Sequence, residues 1–136
     1  MKKSDLCPCC SSKNYGDCCN LFLGSSTSAP TAEQLMRSRY TAFVLEKALY
    51  LVETHHPQFR QQDELKALKK SFKGMVWTSL EILATQAGAA TDCEGEVEFI
   101  AHFRSLGKAG RLHERSRFRQ ENGQWFYVDG VILSKA

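Results

Sequence analysis

The amino-acid sequence predicts an α+β fold, helices first and an antiparallel sheet after, behind a short cysteine-rich segment. Three observations carry that reading. Apolar residues recur at helical spacing from Thr31 to Lys73 and then alternate in twos from Met75 to Leu133. Asn122-Gly123 sits between two alternating runs, and that pair suits a type I′ hairpin turn, which needs positive φ at both positions. Five of the six cysteines lie between Cys7 and Cys19, ahead of both regions. Helices followed by a meander bury one face of a sheet and leave the other to water.

The first element is CPCCSSKNYGDCC, in which Cys7, Cys9, Cys18 and Cys19 form a C-x-C-x8-C-C pattern. Adjacent cysteines make strained disulfides. A disulfide framework joins distant parts of a chain, whereas this cluster would staple only itself. Thiolates are soft donors that favour zinc over magnesium or calcium. Two ligand pairs on tight turns can close a tetrahedron with Zn–S near ~2.3 Å, and four protein ligands leave no position for water. The expected zinc is therefore structural. A segment of about twenty residues buries too little to fold alone. Metal binding, on the order of 10–16 kcal/mol in small modules, supplies that energy. Ser11, Ser12, Asn14 and Gly16 suit the turns. An iron–sulfur cluster, whose usual spacings differ, and a redox pair built on the C-x-x-C of Cys7-Pro8-Cys9-Cys10 are the alternatives. On this reading residues 1–23 are a zinc module that unfolds without metal and leaves the remainder folded.

Residues 24–30, GSSTSAP, read as a linker, and residues 31–136 as the second domain. Thr31 and Gln34 fit a capping box opening a helix with Leu35, Met36, Tyr40, Phe43 and Val44 inward. The pattern breaks near Glu46–Lys47, resumes through Ala48 to Val52, and stops at His55-His56-Pro57. A further helix over Asp63–Lys73 would turn Leu65, Leu68 and Phe72 inward, ending at Gly74. Strands follow at Met75–Thr85, Glu94–Leu106, Arg111–Glu121 and Gln124–Leu133, with turns at Gly107–Gly110 and Asn122-Gly123. Val97, Phe99, Ala101 and Phe103 share one face, as do Leu112, Glu114, Ser116 and Phe118.

A chain of 136 residues with a formal charge of +3 is long enough to hold a core and too mildly basic to argue for an anionic partner. It contains no run of eighteen apolar residues, so no membrane span is expected. The start, MKKSDLCPCC, lacks the apolar region of a signal peptide. With its clustered thiols, that points to the cytoplasm.

CPCCSSKNYGDCC resembles the zinc-binding SEC-C motif found at the tail of the SecA export ATPase, and the resemblance implies Cys7, Cys9, Cys18 and Cys19 as ligands. That motif usually has glycine where this chain has Cys10, a position suited to positive φ, and Cys10 is a competing fifth thiol. PTAEQLMRSRYTAFV, LHERSRF and WFYVDG resemble the YchJ family, whose members join a SEC-C motif to an NTF2-like domain. The resemblance spans Cys7 to about Ile132 and implies a cone: a curved sheet wrapped on helices, often around a pocket. That fold hosts isomerases, dehydratases, binding modules and adaptors, so it does not fix a function. The comparison with SecA implies a chaperone- or ribosome-facing role.

Within the expected cone, Arg39, Tyr40, His55, Trp77, Glu114, Trp125 and Asp129 are the candidate pocket residues. Glu114 and Asp129 are the candidate general bases, since burial raises a carboxylate pKa. The structural alternatives are an ion pair from Glu114 to Arg39 or Arg37, a turn role for Asp129, solvated histidines at a helix end, and core packing for the aromatics. His113, Arg115, Arg117 and Arg119 line the opposite face, where Glu96, Glu98 and His102 can pair with them. A nucleic-acid face would want stacking aromatics there, and the row has none. The leading expectation is an interaction protein: the knuckle docks on a protein or ribonucleoprotein, and the cone holds a small ligand or protein. The runner-up is an enzyme using the cone; RNA binding through Lys2, Lys3, Lys13 and the arginine row comes third.

Overall fold

Residues 1–25 and 27–136 are described by the structure, a computed structural model; Ser26 of the expected linker lies outside the described residues. A helical turn over Tyr15–Asp17 and α1 (Asn20–Leu23) follow the first cysteines. Then come α2 (Ala32–Val44), α3 (Ala48–Glu53), a turn of 3-10 helix at Pro57–Phe59, and α4 (Glu64–Ser71). Four strands, β1 (Met75–Ala87), β2 (Glu94–Ser105), β3 (Lys108–Glu121) and β4 (Gln124–Lys135), form an antiparallel meander in the order β1-β2-β3-β4.

Local chemistry places these elements. The Thr31 hydroxyl accepts from the Gln34 N–H at 3.2 Å and caps α2. The Gln34 side chain accepts from that same hydroxyl at 3.0 Å, so it stays on the cap and does not reach a backbone donor. Between α2 and α3, Glu46 takes φ +57°, which breaks the helix where the apolar pattern does. On α4, Phe72 and Leu68 turn inward as expected; Leu65 does not, and stands 37% exposed. The β2–β3 turn is tighter than expected. It uses only Leu106-Gly107, at φ +51° and +84°, and β3 begins at Lys108.

Val97, Phe99, Ala101 and Phe103 of β2 are buried on the inner face and receive α2 through Leu35, Met36 and Tyr40. Cys7, Cys9, Tyr15, Cys19 and Phe22 belong to this same apolar cluster. The boundary near residue 30 is thus a change of element type without a break in the core: Ala29 is buried, and Trp125 of β4 donates from Nε1 to Pro30 O at 3.1 Å.

The register of β4 decides which residues enter the cone. Tyr127 faces Phe118 and Asp129 faces Arg117, so Val128 is an extra residue between them. This bulge breaks the two-residue alternation. Tyr127 stays inside with Phe118, and Asp129 goes outside with Arg117.

Candidate metal centre and cone cavity

The sulfur atoms of Cys7, Cys9, Cys18 and Cys19 all lie within 4.8 Å of one another, and Cys9 Sγ is 3.6 Å from Cys18 Sγ. A tetrahedron with metal–sulfur bonds of ~2.3 Å has edges of about 3.8 Å. The donor set therefore fits a thiophilic divalent cation. Two turns build it. The Cys10 N–H donates to Cys7 O at 3.2 Å, and the Cys18 N–H to Tyr15 O at 3.1 Å. The Cys7 N–H donates to Lys13 O at 2.9 Å and closes the loop between them.

The site leans on α2. Thr41 Oγ1 donates to Cys19 Sγ at 3.2 Å and lies 3.8 Å from Cys7 Sγ. Arg37 Nη1 donates to Cys9 O at 2.8 Å while its Nε holds Glu33 at 3.0 Å. Ser11 Oγ is 3.1 Å from Cys18 Sγ. Hydroxyls and a guanidinium offset the negative charge that four thiolates bring to one cation. The thiols compete strongly for protons: hydrogen bonds from Cys19 and Cys9 pull Cys7 far below its ordinary range, and Cys7 and Cys9 push Cys19 far above its own. So many thiolates cannot ionise together in one buried volume without a cation to share.

Cys10 is no part of this cluster. It is exposed, its Sγ approaches Pro8 O at 3.5 Å, and it accepts from the Leu80 N–H of β1 at 3.5 Å. Its φ is +64°, a left-handed conformation costly for a residue with a Cβ.

Behind the other face of α2 the cone holds an open cavity of about 310 Å³. Met36, Phe43, Leu68, Phe99 and Leu112 form its apolar wall. Of the candidate residues, Arg39, Tyr40, His55, Trp77 and Glu114 line it. Arg39 Nη1 donates to Leu51 O at 2.8 Å and Thr54 Oγ1 at 2.6 Å, and its guanidinium lies 4.6 Å from the Tyr127 ring centre. Burial lowers its pKa to about 10, which leaves it charged at neutral pH. Glu114 makes no ion pair with Arg39 or Arg37 among the described residues; it accepts from Ser116 Oγ at 2.7 Å. Gly130 lies against it, and a Cβ there would collide with the Glu114 carboxylate. His55 Nδ1 meets Glu64 Oε1 at 2.8 Å. Burial raises the Tyr127 phenol to about 12.

Trp125 and Asp129 lie elsewhere. Trp125 is 1% exposed and packs beneath Pro30, at the far end of the sheet. Asp129 holds Arg117 through both carboxylate oxygens, each at 2.6 Å, on the outer face, and Arg117 keeps its carboxyl below the usual range. Its turn role is likewise replaced by this pair. The two histidines are not a solvated helix end: His56 is buried and its Nε2 meets Glu121 at 2.9 Å, while His55 faces the cavity. The basic row is spent on neighbours: His113 and Arg115 on Glu98, Arg117 on Asp129, and Arg119 near Glu121.

Sequence reasoning missed Glu64, Ser116 and Thr41 as site residues. Ser116 carried a signal, a polar residue at an inward position between Glu114 and Phe118. Glu64 and Thr41 carried none, because their partners are brought to them by tertiary packing.

A buried four-thiol cluster clasped to the first long helix of a cone-shaped α+β domain defines a class, the NTF2-like proteins that carry a cysteine-rich metal module. Residues 31–130 match the model of the YchJ middle NTF2-like domain. UPF0225 protein SCO1677 of Streptomyces coelicolor is 48% identical over 93% of this chain and 95% of its own length. UPF0225 protein GSU1048 of Geobacter sulfurreducens is 40% identical over 93% of this chain and 79% of its own. The solution structure of RPA3114, a SEC-C motif containing protein of Rhodopseudomonas palustris, superposes with a TM-score of 0.85 at 36% identity, covering 94% of this chain and 98% of that one. A SEC-C motif containing protein of Psychrobacter arcticus superposes with a TM-score of 0.74 at 29% identity, covering 100% and 88%. The chain belongs to the YchJ family, also called UPF0225.

The left-handed backbone at Cys10 gives a direct test. Both Cys10→Gly and Cys10→Ala remove the sulfur, but only alanine keeps the Cβ. In chemical denaturation the glycine variant should be the more stable by about 1 kcal/mol, and both should keep the metal. Loss of metal from either would place Cys10 among the ligands.

Proposed function

We propose that this is a cytoplasmic protein in which a structural zinc ion braces a cone that binds a small molecule. Reduced clustered thiols suit the cytoplasm. Four thiolates in a closed site suit zinc, with no coordination position left for a substrate. No helix among the described residues is long and apolar enough to cross a membrane.

The observation that carries the ligand reading is the cavity itself. It is about 310 Å³, apolar over most of its wall, with Arg39, His55, Glu64 and Glu114 on it. Small-molecule sites combine an apolar lining with a few polar groups that fix orientation. An enzymatic use of the site would employ Glu114 as base, with the His55–Glu64 pair as a proton carrier beside it. Among the described residues no cation holds Glu114 where it reaches the cavity, which favours this over a purely structural ion pair.

A second reading concerns the knuckle. Leu6, 70% exposed, and Leu21, 47% exposed, belong to its surface, as do the exposed Lys2, Lys3 and Lys13. That mixed apolar and basic surface supports docking on an acidic protein or ribonucleoprotein partner, such as a chaperone or the ribosome. The outer sheet arginines support nucleic-acid binding less, since acidic neighbours occupy them.

Two measurements check the proposal. Native mass spectrometry of the purified chain should show one zinc, absent from a Cys18→Ser variant; an apo chain or an iron–sulfur mass contradicts the zinc assignment. A fragment screen by NMR should give binders that shift resonances around Phe99, Leu112 and Tyr127. Leu112→Trp should fill the cavity and abolish those shifts while the fold and metal content persist. Binding that survives this change belongs to another surface and overturns the cavity reading.

A further inference from the structure

The cavity wall carries an open cation. Arg39 is 9% exposed, yet no carboxylate pairs with it among the described residues. Its Nη1 serves Leu51 O and Thr54 Oγ1, and the face of its guanidinium covers the Tyr127 ring. Its Nε and Nη2 have no partner among the described residues, and neither has the Tyr127 hydroxyl. Among those residues no fully buried side-chain nitrogen or oxygen lacks a partner. These donors therefore keep access to open space, and the space these two residues line is the cavity.

A guanidinium withdrawn from water is costly unless its N–H groups are met. Here Leu51, Thr54 and the Tyr127 ring meet part of it, which fixes the side chain. The remaining Nε/Nη2 edge is planar and offers two parallel N–H donors, the geometry that matches both oxygens of a carboxylate. The apolar wall of the cavity is Met36, Phe43, Leu68, Phe99 and Leu112, which offers nothing polar to a ligand's body. Other acidic groups on the cavity set a limit. Glu64 is engaged by His55, whereas Glu114 carries a charge that opposes an anion placed beside it. One negative group, at one end of an apolar body, satisfies both facts.

Building on the cavity reading above, we propose that the cone selects apolar monocarboxylates, the carboxylate on the Nε/Nη2 edge of Arg39 within reach of the Tyr127 hydroxyl. Arg39 is then the residue that sets specificity, and Glu114 restrains affinity for the acid.

The test uses three matched probes, 4-phenylbutyrate, 4-phenylbutanamide and 4-phenylbutylamine, titrated into the full metal-loaded chain and followed by backbone NMR. The acid should bind at least about tenfold tighter than the amide or the amine, as loss of a charge-assisted bidentate contact predicts. Arg39→Lys keeps the charge but loses the planar edge and should erase most of that preference. Tyr127→Phe, which removes only a hydroxyl, should weaken the acid several-fold, on the order of one hydrogen bond to a charged group, and stands as the control if Arg39→Lys unfolds. Glu114→Gln should tighten the acid and leave the amide unchanged. Equal binding of the three probes, or preference for the amine, overturns the carboxylate assignment and leaves the cavity reading standing. Silence of all three at the cavity resonances overturns both.

Discussion

Four cysteine sulfurs packed within metal-binding distance of one another lean on a single helix, and that helix is the one that builds the cone. Thr41 and Arg37 of α2 reach the cluster, through Cys19 Sγ and Cys9 O. Met36, Arg39, Tyr40 and Phe43, on the neighbouring faces of the same helix, line the cavity. A metal site of this kind is commonly pictured as a detachable knuckle. Here its cysteines share an apolar cluster with Leu35, Tyr40 and Leu80. The cysteine segment packs on the chain's own first long helix, so the cluster and that helix share one core.

The cavity lies against the other side of the same helix. Its apolar wall comes from α2, α4 and the inner sheet face, and its polar end from residues on four different elements or loops. His55 arrives from the end of α3, Glu64 from the start of α4, Glu114 from β3 and Tyr127 from β4. Gly130 leaves the room that the Glu114 side chain occupies. The charges on the other side of the sheet are arranged differently. They pair mostly across strands, with Arg119 near Glu121 on the same strand, and at such exposure each pair is worth little to stability.

Periodicity made most of the fold legible. The change from helical to alternating spacing at Met75 marks the passage from helices to sheet, and Asn122-Gly123 forms the turn its residue types require, at φ +53° and +77°. The four-cysteine cluster was legible because its spacing allows the sulfurs to meet, and the positive φ of Cys10 matches the glycine that the related motif prefers there. The pocket was legible only in part. Alternation along β4 put Asp129 inside with Tyr127, but the extra residue Val128 reversed it, and no local signal announces a bulge. Trp125 shares the inner face yet lies beyond the cavity's end, a matter of helix placement. The His55–Glu64 contact depends on how α3 meets α4, which a one-dimensional pattern does not contain.

A cation bound by the four cysteines would hold α2 as well as the knuckle. Hydrogen exchange of the metal-loaded chain against the chelated one tests it most directly. Removing the metal should release amides in residues 7–23 and also in α2 around Arg37 to Thr41, with protection returning when zinc is restored. Release confined to residues 1–23, with α2 as protected as before, would contradict it.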